Sequence, residues 1–187
     1  MSLEYVYHIR STSFIGEVLF PLNELKEISL ESYNKHSKKY DHRKYLMDCP
    51  LKIAHCLWND VIHLCPIDIA KILDERIRYL GKEGKSHSYF KIPFSFLDEA
   101  QTFFLYRKST DDHLKEDLYK EINENVYPYS ADKKDPQEIF NLNLQIEYFQ
   151  KCSKDPLLLP YLFTGITHVL YKGSLDISSC EILTKEY

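Results

Sequence analysis

Tyr5-Val6-Tyr7-His8-Ile9-Arg10 opens the chain with strict alternation: Val6, His8 and Arg10 fall on one face of a strand, and Tyr5, Tyr7 and Ile9 on the other. The far end alternates again, with a strand read over Thr167-His168-Val169-Leu170-Tyr171-Lys172, a turn at Gly173 and a last strand at Glu181-Ile182-Leu183. Between the ends lie mostly helical patterns. Asn23 reads as the N-cap of a helix running to about Lys38, a short helix is expected over 41–47, and Pro66 starts a helix over 67–80 that Gly81 ends. Ile69, Ile72, Leu73, Ile77 and Leu80 form its apolar stripe. Two more strands are read at Ser88–Phe94 and Thr102–Arg107, then a helix from Asp111 to Asn123 and a loop over 127–134. Asp135-Pro136-Gln137-Glu138 combines a capping box with proline at N1 and predicts one helix through Cys152. Strands at both ends with helices between them define an α+β class, not an alternating parallel sheet.

The 187 residues, 44% of them hydrophobic, suffice for one core, so a single domain over 1–187 is expected. A net charge of −4 argues against general nucleic-acid binding and against an anionic membrane surface, both of which need a cationic surplus. The charge is divided, however: the first half carries a slight cationic excess and the second an acidic one, which points an anionic ligand to the first half. Five cysteines, an odd number without framework spacing, fit buried thiols in a reducing compartment. With no leader pattern at the start and no long apolar run, the expected location is the cytoplasm, without a membrane span.

One apolar segment is interrupted in a way that calls for chemistry. In Cys56-Leu57-Trp58-Asn59-Asp60-Val61-Ile62-His63-Leu64-Cys65, the polar residues Asn59, Asp60 and His63 stand where a plain strand needs none. The segment admits two readings. Either Asn59-Asp60 satisfies the backbone at a bend while Trp58 fills the core, or Trp58 supplies a stacking wall and Asn59, Asp60 and His63 bond a polar ligand. His8 and Arg10 on one strand face offer a donor and a fixed cation to a phosphate or ribose, and Lys39, Tyr40 and Arg43 extend the basic side. His55, Cys56, His63 and Cys65 have spacings outside those of zinc sites, so no metal is expected. Five scattered glycines leave no phosphate-cradling loop.

Tyr7-His8-Ile9-Arg10 followed by Leu19-Phe20-Pro21-Leu22, together with Thr167 to Ser178, resembles the opening and closing motifs of ADP-ribosyltransferase-like domains. The middle of the chain, including KYDHR and CLWNDVIHLCP, resembles a small group of bacterial proteins to which no activity attaches. The terminal resemblance implies a split antiparallel β core with peripheral helices that binds NAD between two small sheets. It implies that the early His8 contacts the ribose, that an aromatic residue flanks the nicotinamide, and that ADP-ribose passes to a macromolecular acceptor. The family's late glutamate, which stabilises positive charge on the ribose, is matched here by His168, with Glu181 and Asp60 as the nearest acidic substitutes. The candidate catalytic residues are therefore His8, Asp60 and His168, and the candidate nucleotide contacts are His8, Arg10, Arg43, Trp58, Asn59 and His63. The first and last strands are expected to pair or to lie in adjacent sheets, bringing His8 toward His168. The rival expectation is a non-catalytic binding or regulatory protein, with the acidic stretch 109–138 as its contact surface.

Overall fold

A computed structural model of the protein describes residues 3–12, 14, 16–41, 43–108, 115–131 and 136–187. Its strands, in chain order, are β1 Tyr5–Arg10, β2 Val18–Leu19, β3 Pro50–Leu51, β4 Cys56–Leu57, β5 Val61–Leu64, β6 Ser86–Pro93, β7 Thr102–Leu105, β8 Val126–Pro128, β9 His168–Lys172, β10 Leu175–Asp176 and β11 Glu181–Glu186. The helices are α1 Leu22–Ile28, α2 Leu30–Ser37, α3 Ile69–Leu80, α4 Lys115–Glu124, α5 Pro136–Ile139 and α6 Asn143–Lys154.

Two antiparallel sheets organise the fold, one in the order β1-β6-β11 and the other in the order β5-β9-β7-β8. They meet at an isolated bridge where Tyr7 N–H donates to Cys65 O (2.7 Å) and Cys65 N–H donates to Tyr7 O (2.8 Å). Among the described residues no further bridge joins β1 to β5, and His8 is the next residue along β1. The first strand and the closing strand β9 thus lie in adjacent sheets with β5 between them.

Alternation along the strands assigns each sheet face to a different core. On the second sheet, Val61, Phe103, Leu105, Val126 and Leu170 pack with Trp58, Tyr40, Leu46 and residues Leu118 and Ile122 of α4. The opposite face, with Ile62, Leu64, Phe104 and Val169, packs with Val6, Phe90 and Ile92 of the first sheet. The helix α3 matches its predicted stripe: Ile69, Ile72 and Leu73 are fully buried, Asp68 caps it by accepting from Ala70 N–H (2.9 Å), and Gly81 ends it at φ 82°. Its Ile72 packs with Tyr148, Phe149 and Cys152 of α6.

Three predicted elements are corrected. The helix expected over 23–38 is two helices, because Ser29 is extended (φ −154°, ψ 99°) and its hydroxyl accepts from Ser32 N–H to cap α2. Asn23 does not cap; it lies in the first turn of α1, where its amide donates to Asp60 Oδ1 at 2.6 Å. The loop read over 127–134 begins as strand β8, whose short sequence carries no alternation of its own and is defined by pairing with β7. The helix expected from Asp135 to Cys152 is interrupted at residues 140–142, and its capping residue Asp135 lies outside the described residues, as does the expected helix start at Asp111.

Candidate functional site

The Trp58-Asn59-Asp60 interruption is a single 3-10 turn that redirects the chain from β4 into β5. Asp60 holds this turn. One carboxylate oxygen accepts from Leu57 N–H (2.7 Å) and the other from the Asn23 amide (2.6 Å), so both are engaged within the protein. Trp58 is 7% exposed: its indole N–H donates to Tyr40 Oη (3.2 Å), its N–H donates to Cys49 O (2.8 Å), and its ring lies 4.3 Å from the His63 ring, centre to centre. Trp58 is thus a packing support for His63 in place of an open stacking wall. Asn59 is 1% exposed, and neither atom of its amide has a hydrogen-bond partner among the described residues. An unmet buried amide group costs on the order of 1–3 kcal/mol, a cost the rest of this segment does not relieve.

Two predicted histidines meet on one face of the second sheet, and His8, which alternates with Tyr7 on the Val6 face of β1, acts on His63 through its charge. His63 and His168 lie edge to face with ring centres 6.0 Å apart. Each places Nε2 at 3.0 Å from a main-chain oxygen, Trp58 O for His63 and Phe163 O for His168. A carbonyl oxygen only accepts, so Nε2 carries the proton in both rings and Nδ1 is the basic nitrogen. His8 Nδ1 is buried without a partner among the described residues. Burial is the main cause that lowers the pKa of all three, to about 4 for His8 and His168 and well below the ordinary value for His63. Nearby charge acts in the same direction: Lys39 and His36 on His8, His168, Lys39 and His8 on His63, and Arg107 on His168. Hydrogen bonds to backbone oxygens oppose the shift in each case. Among the described residues the charges that act on these imidazoles come from cations or other imidazoles, of which Arg107 is paired with Glu121 at 3.5 Å. Neutral rings in a cationic field suit an anionic ligand.

Of the predicted basic residues, Lys39 acts on His8 and His63. Lys39, exposed at the end of α2, sets its ammonium 5.0 Å from the Tyr40 ring centre. Arg43 stacks its guanidinium 4.8 Å from the ring centre of Tyr161, and its Nε is buried without a hydrogen-bond partner among the described residues. Arg10, half-buried on β1 two residues beyond His8, pairs with Ser88 in the β1–β6 ladder, and its side chain makes no ion pair or hydrogen bond among the described residues. Glu181, one of the two acidic substitutes, lies instead on β11 and pairs with Lys91 (3.4 Å) in the first sheet.

Sequence reading missed the strap formed by residues 155–167, which carries Phe163 to His168 and Tyr161 to Arg43. Gln145, fully buried in α6, fixes it by donating to Tyr161 O (2.9 Å) and accepting from Gly165 N–H (3.0 Å), while Tyr148 Oη donates to Leu159 O (2.6 Å). A glutamine on the buried side of a predicted helix was the available signal, because a buried amide needs partners. Burial raises the pKa of Cys49 to about 12 and that of Cys65 further still, which disfavours the reactive thiolate at both. Among the described residues no group of three His, Cys, Asp or Glu is placed to hold a metal ion, and no helix is long and apolar enough to cross a membrane. The chain matches no family model, no curated protein and no solved structure.

Proposed function

We propose that the chain binds a nucleotide of the NAD type where the two sheets part, in an ADP-ribosyltransferase-like split β core. The observation that carries this reading is the junction itself: His8 follows the Tyr7–Cys65 bridge on one sheet, His63 stands on the other beside His168, and Lys39 acts on both His8 and His63. The phosphates would be held by Arg10, Lys39 and Arg43, a ribose hydroxyl by His8, and a base or nicotinamide ring by the exposed face of Tyr161. The unmet polar atoms of His8 and Arg43 fit that assignment, since a ligand would supply the partners they lack. Bound NAD would bring an activated ribose whose ADP-ribose unit can pass to a macromolecular acceptor. This chain's part would be to orient it and to exclude water. The protein would act in the cytoplasm.

A second reading, binding or regulation without transfer, is favoured by a specific observation. Charge developing on a ribose calls for a carboxylate, yet the groups acting on His8, His63 and His168 are cationic or neutral, Asp60 is engaged at both oxygens, and Glu181 is paired elsewhere. Thermal denaturation separates the outcomes. A ligand present at a hundred times its Kd stabilises the folded chain by about 2.7 kcal/mol, so NAD should raise the melting temperature, and Arg10→Ala and Lys39→Ala should lose most of the shift. Unchanged melting with NAD, ADP-ribose and AMP at millimolar concentration would sink nucleotide binding. Binding without label transfer from adenylate-labelled NAD to added protein or nucleic acid would select the second reading.

A further inference from the structure

On the face of the second sheet opposite His63 and His168, a depression of about 450 Å³ is lined by Phe96, Tyr171, Ser174, Leu175, Asp176, Ser178 and Ser179. Tyr171 reaches it because it alternates with Leu170 on β9, whose side chain belongs to the other core. Its rim is a firmly tied loop. Gly173 turns the chain at φ 109°, a conformation L side chains rarely adopt, and β10 then pairs with β2 through Leu175↔Leu19 and Asp176↔Val18. Ile177 N–H donates to Glu17 O (2.7 Å) and Cys180 N–H to Ile177 O (3.0 Å). Asp176 Oδ1 accepts from Ser178 N–H (2.8 Å), which fixes the carboxylate. Among the described residues the lining contains no cation to neutralise that carboxylate, and Phe96 exposes 42% of its surface at the edge.

We propose that this depression binds a neutral sugar, whose apolar ring face lies on Phe96 and Tyr171 while its hydroxyls bond Asp176 and the surrounding serines. Each lining group has a counterpart in that ligand. An ionised carboxylate is an acceptor for hydroxyl donors, serine hydroxyls both donate and accept, and an exposed aromatic ring offers an apolar surface beside them. A phosphorylated or carboxylated ligand is disfavoured by Asp176, which no lining cation offsets. The inference is independent of nucleotide binding, since none of the lining residues is among those proposed to hold the nucleotide.

The test is a titration of the labelled protein with methyl α-glucopyranoside, methyl β-galactopyranoside and myo-inositol at millimolar concentration, followed by amide chemical shifts. Saturable shifts confined to residues 94–97 and 171–180 are expected with at least one of the three. Asp176→Ala should weaken that binding roughly tenfold or more, the loss of a charge-assisted hydrogen bond, and Phe96→Ala should also weaken it. Both residues are exposed, and the amide spectrum of each variant verifies its fold. No saturable shift with any of the three, or shifts of equal size in Asp176→Ala, overturns the proposal. So does preferential binding of N-acetyl-lysine methylamide, which would mark the depression as a site for a cation.

Discussion

Lowering the pH from 7 to 5 should destabilise this protein through its half-buried histidines, before its carboxylates contribute. His8 and His168 have pKa values held at about 4, against 6.5 for the unperturbed group, chiefly by burial. The unfolded chain therefore binds protons at these positions between pH 6.5 and 4 that the folded chain refuses, and stability falls as the pH drops through that window. From the two pKa values, each imidazole contributes roughly 2 kcal/mol of lost stability between pH 7 and pH 5. Two acting independently would remove roughly 4 kcal/mol, a large share of the 5–15 kcal/mol typical of a domain. His63, shifted in the same direction, adds to the loss.

Urea unfolding at pH 7, 6 and 5, followed by the fluorescence of the single Trp58 packed against His63, measures the effect. The unfolding midpoint should fall steadily across the series. His168→Gln retains a side-chain N–H for Phe163 O but cannot titrate, so its stability should depend less steeply on pH by about one histidine's share. A midpoint that stays constant from pH 7 to pH 5, or an unchanged slope in His168→Gln, would refute the reasoning. Either result would mean that the imidazoles are already charged, or that water reaches them.

Two further variants probe how the site is built. A Cβ at position 165 would lie 2.5 Å from Gln145 N and 2.5 Å from Leu144 C, both backbone atoms that no rotamer change can move. Gly165→Ala should therefore cost roughly 1–3 kcal/mol as an overpacked contact, measurable by calorimetry, and an unaltered melting temperature would show that the strap does not seat on α6 in this way. Asp60→Asn puts an amide where two donors converge on a carboxylate, so its urea midpoint should fall by the equivalent of about 1–3 kcal/mol, while the NAD-induced melting shift persists; normal stability with the shift abolished would return Asp60 to the ligand.

Legibility in the sequence tracks the range of the forces involved. β1, β6, β7, β9 and α3 carry their own signals, alternation in the strands and an apolar stripe with Asp68 and Gly81 at the ends of α3. The break between α1 and α2 is less visible, since Ser29 fits a helix interior poorly yet is most decisive as the cap of α2. β8 could not be found locally: Val126-Tyr127-Pro128 becomes a strand because Phe103, Phe104 and Leu105 supply its partners. The same holds for the hairpin of β3 and β4, two residues each, closed by His55 in the left-handed conformation at φ 49°. Such pieces are stabilised by contacts distant in the chain, and composition says nothing of them.

The candidate site divides along the same line. That Asn59, Asp60 and His63 interrupt an apolar segment was legible, but their spacing alone could not assign their tasks, because a turn and a ligand site call for the same residue types. Placed in the fold, the interruption separates into parts. Asp60 closes the turn and ties α1 to it, Trp58 backs His63, and His63 alone of the four meets both another predicted residue, His168, and a cation from the end of α2. The strand register explains why: His63 and Leu170 are direct partners, so His63 and the neighbouring His168 share one face of the sheet two residues apart along β9. The turn is therefore a condition of the His63–His168 pair. Without the redirection at Trp58–Asp60, a one-residue slip of β5 would turn His63 to the core shared with Val6 and Phe90, and the histidine pair would be lost.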